Sequence, residues 1–315
     1  MIIFSLLLLL ISLSFIALLS DRIIVYTTKL SSYFGLSEMS AGFIILSVAT
    51  SLPELFVSII ASLMNQGGIS VGNALGSNVS NLTIIMGLAI LFSRKKFVIK
   101  SRSQKELAQF LFLLSLIPLF ILQRGSIGPI LGIVLLVLFV YFSLNISKKA
   151  GKISSLGFIR KKYVNMIIIK FLICIGFLLL FSKFVVDSGI EIAQFLGLPP
   201  SVIGATLIAV GTSIPELATT IQALKKHLFE MALGNILGSC ITNITLVLGI
   251  ASLLSFSQVS TVAAGSIIFF VLVSSLTMWY LINTKKYLDR KTALFIILIY
   301  VLFVLQQIGI SILIF

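Results

Sequence analysis

Two glutamates are the residues of this sequence best placed to do chemistry. Of nine acidic residues, only Glu54 and Glu216 fall in the middle of long apolar segments. A carboxylate at the centre of a hydrocarbon layer costs at least about 2.5–3.5 kcal/mol, and ionisable groups kept there are functional by default. A buried glutamate that only hydrogen-bonds a neighbouring helix is the alternative, so the residues around the pair decide between the two.

Oxygen-bearing residues accompany both glutamates. Pro53 and Pro215 directly precede them, and a proline within a helix frees carbonyl groups in the turn before it. Oxygen is the ligand that hard cations such as Ca²⁺, Na⁺ and Mg²⁺ prefer, so the surroundings predict a cation site. The side chains of the predicted site and of its polar helical faces are Ser47, Thr50, Ser51, Glu54, Asn73, Ser77, Asn81, Thr212, Ser213, Glu216, Asn235, Ser239 and Asn243.

The two sets of residues are copies of one segment. Residues 42–89 align with residues 204–251 at a constant offset of 162, without a gap, and 18 of the 48 positions are identical. Shared apolar composition cannot place the prolines, glutamates, serines and asparagines of both segments in one register. The chain therefore contains an internal duplication.

Composition places these segments in a membrane. The chain is 59% hydrophobic and 10% charged, with a mean hydropathy of +1.20, whereas soluble domains are about 25% charged. Apolar stretches of about twenty residues, each long enough to cross a bilayer, recur along its whole length. We predict an all-α integral membrane protein with ten transmembrane helices. They cover residues 2–20, 42–64, 71–92, 107–122, 128–144, 164–182, 202–224, 231–254, 262–282 and 292–313.

The basic residues predict how these spans are oriented. Twenty of the 23 lysines and arginines fall in loops on one side, and the loops of the other side contain only Arg124 and Lys183. The positive-inside rule makes the basic side cytoplasmic. We therefore expect a multi-pass protein of the cell (plasma) membrane, embedded in the lipid bilayer, with both termini extracellular. The high positive charge needs no nucleic-acid partner.

Each copy of the duplication contains five spans. Because five is an odd number, the second copy enters the membrane from the opposite side, which is the inverted-topology plan of many secondary transporters. Substrate sites in such proteins lie near the bilayer midplane, where the repeats meet. The predicted organisation is a first five-helix repeat (1–147), a cytoplasmic basic linker (148–162) and a second, inverted five-helix repeat (163–315).

The motifs around the glutamates resemble those of the Na⁺/Ca²⁺ exchangers of the cation/Ca²⁺ exchanger superfamily, of the prokaryotic type. Residues 50–54 (TSLPE) and 72–78 (GNALGSN) are similar to the first alpha repeat of that family, and residues 211–216 (GTSIPE) and 234–239 (GNILGS) to the second. About 100 residues carry the resemblance strongly. It implies a ten-helix fold with a central ion-binding core and a mobile pair of long helices, which would be spans 1 and 6.

The resemblance also implies roles for individual residues. Asn243 stands where many prokaryotic relatives carry aspartate, so the core has two acids instead of three. Transported Ca²⁺ and Na⁺ are the bound ions that the resemblance implies, and it implies no cofactor. The implied direct ligands are Glu54, Ser77, Glu216 and Ser239; Thr50, Ser51, Thr212 and Ser213 would add oxygens, and the backbone at Ser47 and Ala209 would complete flanking Na⁺ sites.

We therefore expect a secondary active antiporter that exchanges Ca²⁺ for Na⁺ by alternating access, and not an enzyme. A H⁺/Ca²⁺ antiporter could use the same glutamates as proton carriers, but the surplus of hydroxyls favours Na⁺ because a proton needs no oxygen cage. A cation channel is another alternative, although an inverted repeat around one closed site fits a carrier better. An intramembrane hydrolase lacks a base, since no histidine or aspartate falls in mid-span.

Overall fold

The protein folds as a set of long apolar helices. The computed structural model describes residues 2–65, 67–93, 97–99, 101–148, 164–195, 209–254, 257–258 and 261–307. Within these residues, eight helices are long and apolar enough to cross a membrane, or nine when one bent pair counts as a single span. Of the ten predicted spans, the seventh (202–224) begins outside the described residues, and nearly all of the predicted linker (148–162) lies outside them.

Thirteen helical segments are described, and they are numbered here in chain order. The first seven are α1 Ile2–Phe34, α2 Glu38–Thr50, α3 Leu52–Leu63, α4 Gly67–Phe92, α5 Arg102–Leu114, α6 Leu119–Arg124 and α7 Pro129–Lys148. The others are α8 Val164–Phe195, α9 Ala209–Thr212, α10 Ile214–Lys225, α11 Phe229–Leu254, α12 Thr261–Thr284 and α13 Arg290–Gln307. The fold is helical, as predicted, and the described residues add only four two-residue strands: β1 Phe97–Val98, β2 Ser126–Ile127, β3 Ser257–Gln258 and β4 Tyr287–Leu288.

The first helix is longer than the predicted span. The sequence prediction ended span 1 at residue 20 and placed Arg22 and Lys29 in a loop, but α1 continues to Phe34, so that both lie on the helix. No proline or glycine interrupts the segment until Gly35, which has φ +67°. A left-handed glycine of this kind ends a helix. α8 likewise continues beyond its predicted end, to Phe195.

The two long helices pack against each other in antiparallel orientation. The rings of Phe15 and Phe181 stack with centroids 4.7 Å apart. Ser5, earlier in α1, donates a hydrogen bond from its hydroxyl to the carboxylate of Glu191, which lies later in α8. At 1.5 Å per residue, each helix is about 50 Å long, which exceeds a hydrocarbon core of about 30 Å. In the apolar stretches of these two helices, 22% and 28% of the residues are buried inside the protein.

The helices of the central core approach each other closely. α4 and α11 are the most deeply buried of the candidate spans. α2 crosses α11 with backbones in contact, because a Cβ atom on Gly42 would lie 2.3 Å from the carbonyl oxygen of Met231, and one on Gly234 would lie 2.6 Å from that of Met39. Only glycine fits at such a crossing, so these two positions set the distance between α2 and α11.

Two short antiparallel ribbons join the halves of the chain. β1 pairs with β4, and β2 pairs with β3. β3 precedes α12 and β4 follows it, so the two ribbons lie at opposite ends of this helix. Shifted by the repeat offset of 162, β2 falls at 288–289 beside β4, and β1 falls at 259–260 beside β3. The two ribbons therefore occupy equivalent positions of the duplicated sequence.

Candidate cation site

Both glutamates follow a break in a helix. α2 ends at Thr50 and α3 begins at Leu52, with a bend of 47° between them. Ser51 at this break has φ −84° and ψ 9°, and its repeat equivalent Ser213, between α9 and α10, has φ −90° and ψ 8°. The following prolines occupy the first turn of the next helix, where a missing N–H leaves no hydrogen bond unmade. Each break lies directly before a proline, the residue from which freed carbonyl groups were predicted.

Glu54 and Glu216 lie in the first turns of α3 and α10. Both side chains are fully buried. The first turn of a helix presents backbone N–H groups and the positive end of the helix dipole, which favours negative charge. Ser51, at the break three residues before Glu54, donates to Glu216 Oε1 at 3.3 Å, so the structure brings the repeat-equivalent acids together.

Hydroxyl groups from one half reach the glutamate of the other. Ser51 of the first half donates to Glu216 Oε1 at 3.3 Å, and Ser239 of the second half donates to the same oxygen at 3.4 Å. The hydroxyl groups that approach the Glu54 carboxyl are those of Ser77, from its own half, and of Thr212 and Ser213, from the second half. The site is therefore built across the contact between the two halves.

Two asparagines connect the glutamates to the neighbouring helices. Asn73 of α4 donates to the backbone carbonyl of Glu54 at 2.9 Å and to the Ser58 hydroxyl at 2.9 Å. Its repeat equivalent, Asn235 of α11, donates to the Glu216 carbonyl at 3.3 Å and to the Thr220 hydroxyl at 2.9 Å. These bonds hold the first turns of α3 and α10 in place, so the two asparagines position the acids through the backbone.

Several buried oxygens at the site have no hydrogen-bond partner. Among the described residues, this holds for both carboxyl oxygens of Glu54, Glu216 Oε2, Ser77 Oγ and Asn243 Oδ1, and for both polar atoms of Asn81. A buried polar atom left unpaired costs about 1–3 kcal/mol, and most such atoms in native proteins are satisfied by protein, water or an ion. A group of oxygens without donors can receive a cation.

Oxygen-bearing groups predominate around the two acids. In the part of the chain that the structure describes, no group of three or more histidine, cysteine, aspartate or glutamate side chains could hold a metal ion. The groups described around Glu54 and Glu216 are hydroxyl, amide and backbone oxygens besides the two carboxyls. This set suits Ca²⁺ or Na⁺ better than a softer metal.

Other predicted site residues lie at the edges of this group. The Ser47 hydroxyl donates to the Phe43 carbonyl and lies 3.5 Å from the Thr242 hydroxyl, so it faces α11 and not the glutamates. Thr50, by contrast, belongs to the group itself: its hydroxyl approaches Glu216 as that of Thr212 approaches Glu54, and it also lies 3.1 Å from the Leu46 carbonyl and 3.4 Å from Asn235 Oδ1. Ala209 is the first residue of α9.

The sequence reasoning missed two features of the site. Gly42–Ser47, Asn81–Ile85 and Asn243–Val247 form π-helical turns, the last two at repeat-equivalent positions. Such turns often occur at functional sites, but no residue pattern marks them. Asn78 was also missed: it bonds to both Cys240 and Asn243 across the halves. It was overlooked because the duplicated segment has a cysteine at the equivalent position.

The family of the chain follows from comparison with known proteins. The family model described as sodium/calcium exchanger protein matches residues 4–147 and again residues 166–309. The two matches start 162 residues apart, which is the offset of the sequence duplication. The protein is a multi-pass membrane protein with the fold of an ion transporter, not of an enzyme. It belongs to the sodium/calcium exchanger family.

Individual relatives agree with this assignment. Inner membrane protein YrbG of Escherichia coli strain K12 is 31% identical over 267 residues, which cover 81% of this chain and 82% of YrbG. Sodium/calcium exchanger MaX1 of Methanosarcina acetivorans is 28% identical, with 96% of this chain and 98% of MaX1 covered. The solved structure of sodium-calcium exchanger NCX_Mj soaked with 2.5 mM Na⁺ and 10 mM Sr²⁺ superposes with a TM-score of 0.80 at 26% identity, covering 96% of this chain and 98% of NCX_Mj.

Proposed function

We propose that this protein is an antiporter that exchanges Ca²⁺ for Na⁺ at a midplane site built on Glu54 and Glu216. The observation that carries the proposal is the group of fully buried, unpartnered oxygens on and around these two acids. The family assignment supports it, as does the resemblance to MaX1, a sodium/calcium exchanger by name, and to NCX_Mj, whose crystals were soaked with Na⁺, Ca²⁺ or Sr²⁺.

Charge balance explains why two acids would couple the fluxes. Two carboxylates neutralise one Ca²⁺, and in a low-dielectric site a single one would leave a charge uncompensated. Ca²⁺ takes 6–8 oxygen ligands, of which two carboxyl groups supply at most four. Hydroxyls and backbone carbonyls would complete the shell. When Ca²⁺ leaves, the same carboxylates attract Na⁺, so the two ions compete and neither crosses without exchange.

Alternating access would use ten helices in two inverted five-helix repeats, residues 1–147 and 163–315, joined by the linker at 148–162. The ribbons support this arrangement, since the repeat offset converts one into the other and they lie at opposite ends of α12. The long antiparallel pair α1 and α8 lies outside the deeply buried core. In this proposal the pair moves relative to the core and opens the site to one side at a time.

Charge distribution supports an orientation in the plasma membrane. The sequence next to the β1–β4 ribbon contains Arg94, Lys95, Lys96, Lys285 and Lys286, whereas Arg124 is the basic residue next to the β2–β3 ribbon. The first ribbon would then be cytoplasmic and both termini extracellular. Cysteine labelling from each side of the membrane, after replacement of Cys174 and Cys240, tests this orientation. Periplasmic labelling of Ser154→Cys would refute it.

The nearest alternative is exchange of Ca²⁺ for H⁺ at the same glutamates. The hydroxyls that approach each acid from the other half favour Na⁺, because a proton carrier requires only the acids and a path to water. Purified protein in Ca²⁺-loaded liposomes separates the two. We expect an imposed Na⁺ gradient to drive Ca²⁺ out and a pH gradient alone to have no effect. Movement of Ca²⁺ driven by pH without Na⁺ would assign the protein to proton coupling, and flux without any counter-ion would indicate a channel.

A further inference from the structure

Two asparagines meet where the halves of the protein cross. Asn78 of α4 and Asn243 of α11 are both fully buried, and Asn243 Nδ2 donates to Asn78 Oδ1 at 3.2 Å. Asn78 Nδ2 donates in turn to the backbone carbonyl of Cys240 at 3.0 Å. Cys240 is the repeat equivalent of Asn78, so this short chain of hydrogen bonds lies where equivalent positions of the two halves touch.

The Cys240 backbone carbonyl, at the end of this series of hydrogen bonds, determines the orientation of both side-chain amides. A backbone oxygen can only accept a hydrogen bond, so Asn78 turns its nitrogen toward Cys240 and its oxygen toward Asn243. Two amide oxygens facing each other could not bond, so Asn243 turns its nitrogen toward Asn78. The oxygen of Asn243 is the atom left over, and among the described residues it has no hydrogen-bond partner.

We propose that Asn78 is a positioning residue of the cation site, which holds Asn243 with its amide oxygen presented to the ions. The inference rests on the proposed function, because it assigns a role at the same site. An asparagine has one end that attracts a cation and one that repels it, and a freely rotating side chain offers both. Hydrogen bonds from residues behind a ligand remove the unfavourable orientation, as they do in metal sites.

Asn81 provides the matched comparison within the same molecule. It is the repeat equivalent of Asn243 and is also fully buried. Its nitrogen and its oxygen both lack a partner among the described residues. The residue that would hold it by symmetry is Cys240, which has a thiol in place of an amide and points that thiol at the Asn78 carbonyl, 3.9 Å away. The orientation is therefore imposed on one of the two equivalent asparagines.

A double-mutant cycle tests this role on purified protein in liposomes. The half-saturating concentrations of Ca²⁺ and Na⁺ and the maximal rate are measured for Asn78→Ala, Asn243→Ala, Asn81→Ala and the double variants 78/243 and 78/81. Stabilisation of the same proteins by Ca²⁺ against heat gives an independent binding readout. We expect Asn78→Ala to raise the half-saturating concentrations about tenfold, with little change in maximal rate.

The pattern of additivity decides the outcome. Asn78→Ala should add no loss of affinity to Asn243→Ala, because Asn78 acts through that residue, whereas its loss should multiply with that of Asn81→Ala. Asn78→Leu fills the space that alanine leaves empty, so equal losses of affinity in the two variants support a role of the amide. A loss confined to the alanine variant, or a fully multiplicative loss in the 78/243 double variant, overturns the inference.

The two proposals fail in different ways. If the wild-type protein exchanges Na⁺ for Ca²⁺ while the 78/243 losses multiply, the positioning role is wrong and the function stands. Suppose instead that wild-type protein shows no exchange, but that Ca²⁺ stabilisation of the wild type, the single variants and the 78/243 double variant shows the expected non-additivity. The positioning role then stands and the exchange function is wrong.

Discussion

Glu54 and Glu216 occupy equivalent positions of the duplication and differ in how closely equivalent hydroxyls approach them in the folded protein. Ser51 and Ser239 donate long hydrogen bonds of 3.3 and 3.4 Å to one Glu216 oxygen. The equivalent hydroxyls, those of Ser213 and Ser77, also approach Glu54, but among the described residues none is placed to bond either of its oxygens. The duplication therefore repeats the hydroxyls around the two acids, and the packing of the halves sets how closely each hydroxyl approaches.

The largest expected effect removes the charge that the two acids share. Glu54→Gln and Glu216→Gln should each lower Ca²⁺ flux roughly a hundredfold or more, since one remaining carboxylate cannot balance a buried divalent charge. The two losses should be similar despite the different hydrogen bonds. Flux of ⁴⁵Ca²⁺ into proteoliposomes measures them. Glu106→Gln is the control, because Glu106 pairs with Arg102 on an exposed part of α5 at 2.9 Å. Near-normal flux in either site variant would contradict the proposal that both carboxylates bind the same Ca²⁺.

A smaller effect is expected at the asparagines behind the acids. Asn73→Ala and Asn235→Ala release the backbone of the glutamates and should raise the half-saturating Ca²⁺ concentration about tenfold. Asn235→Ala should raise this concentration more than Asn73→Ala, because Asn235 also donates to Thr219 at 3.1 Å and accepts from Thr50.

Asn283→Ala is the matched control for the asparagines, because within the described residues its side-chain amide bonds only to the Trp279 carbonyl, at an exposed helix end. Concentration dependence of Ca²⁺ flux is the measurement. Equal effects of the site variants and the control would show that the asparagine bonds do not position the acids.

The smallest effects should come from the serines. Ser77→Ala and Ser239→Ala are expected to weaken the Na⁺ dependence of exchange about fivefold, near the value of one hydrogen bond, and to change Ca²⁺ affinity less. A neutral hydroxyl contributes a larger share of the coordination of a monovalent ion. Na⁺ titration at fixed Ca²⁺ measures this, and a greater loss of Ca²⁺ affinity than of Na⁺ affinity would contradict it.

Sequence reasoning was strongest where the duplication repeats a residue. Glu54, Glu216 and the prolines before them were identified because a buried charge and a helix break each have a local chemical cause. The resemblance to the exchangers, now confirmed as family membership, rested on the same residues.

The features that sequence reasoning missed depend on packing. α1 was predicted to end at residue 20 because its charges resembled a loop, but it continues along α8 to Phe34. No residue pattern marks the π-helical turns, and the hydrogen bonds from Asn243 through Asn78 to Cys240 form between the two halves. At the position of Asn78 the two copies differ, so the duplication gave no indication of its role.

Competition between the two ions tests the central claim most directly. In proteoliposomes with equal Na⁺ on both sides, exchange of external ⁴⁵Ca²⁺ for internal Ca²⁺ requires only that Ca²⁺ reach its site. If both ions use Glu54 and Glu216, increasing Na⁺ should raise the half-saturating Ca²⁺ concentration and leave the maximal rate unchanged. Inhibition that lowers the maximal rate without affecting Ca²⁺ affinity, or no inhibition by Na⁺, would contradict a shared site.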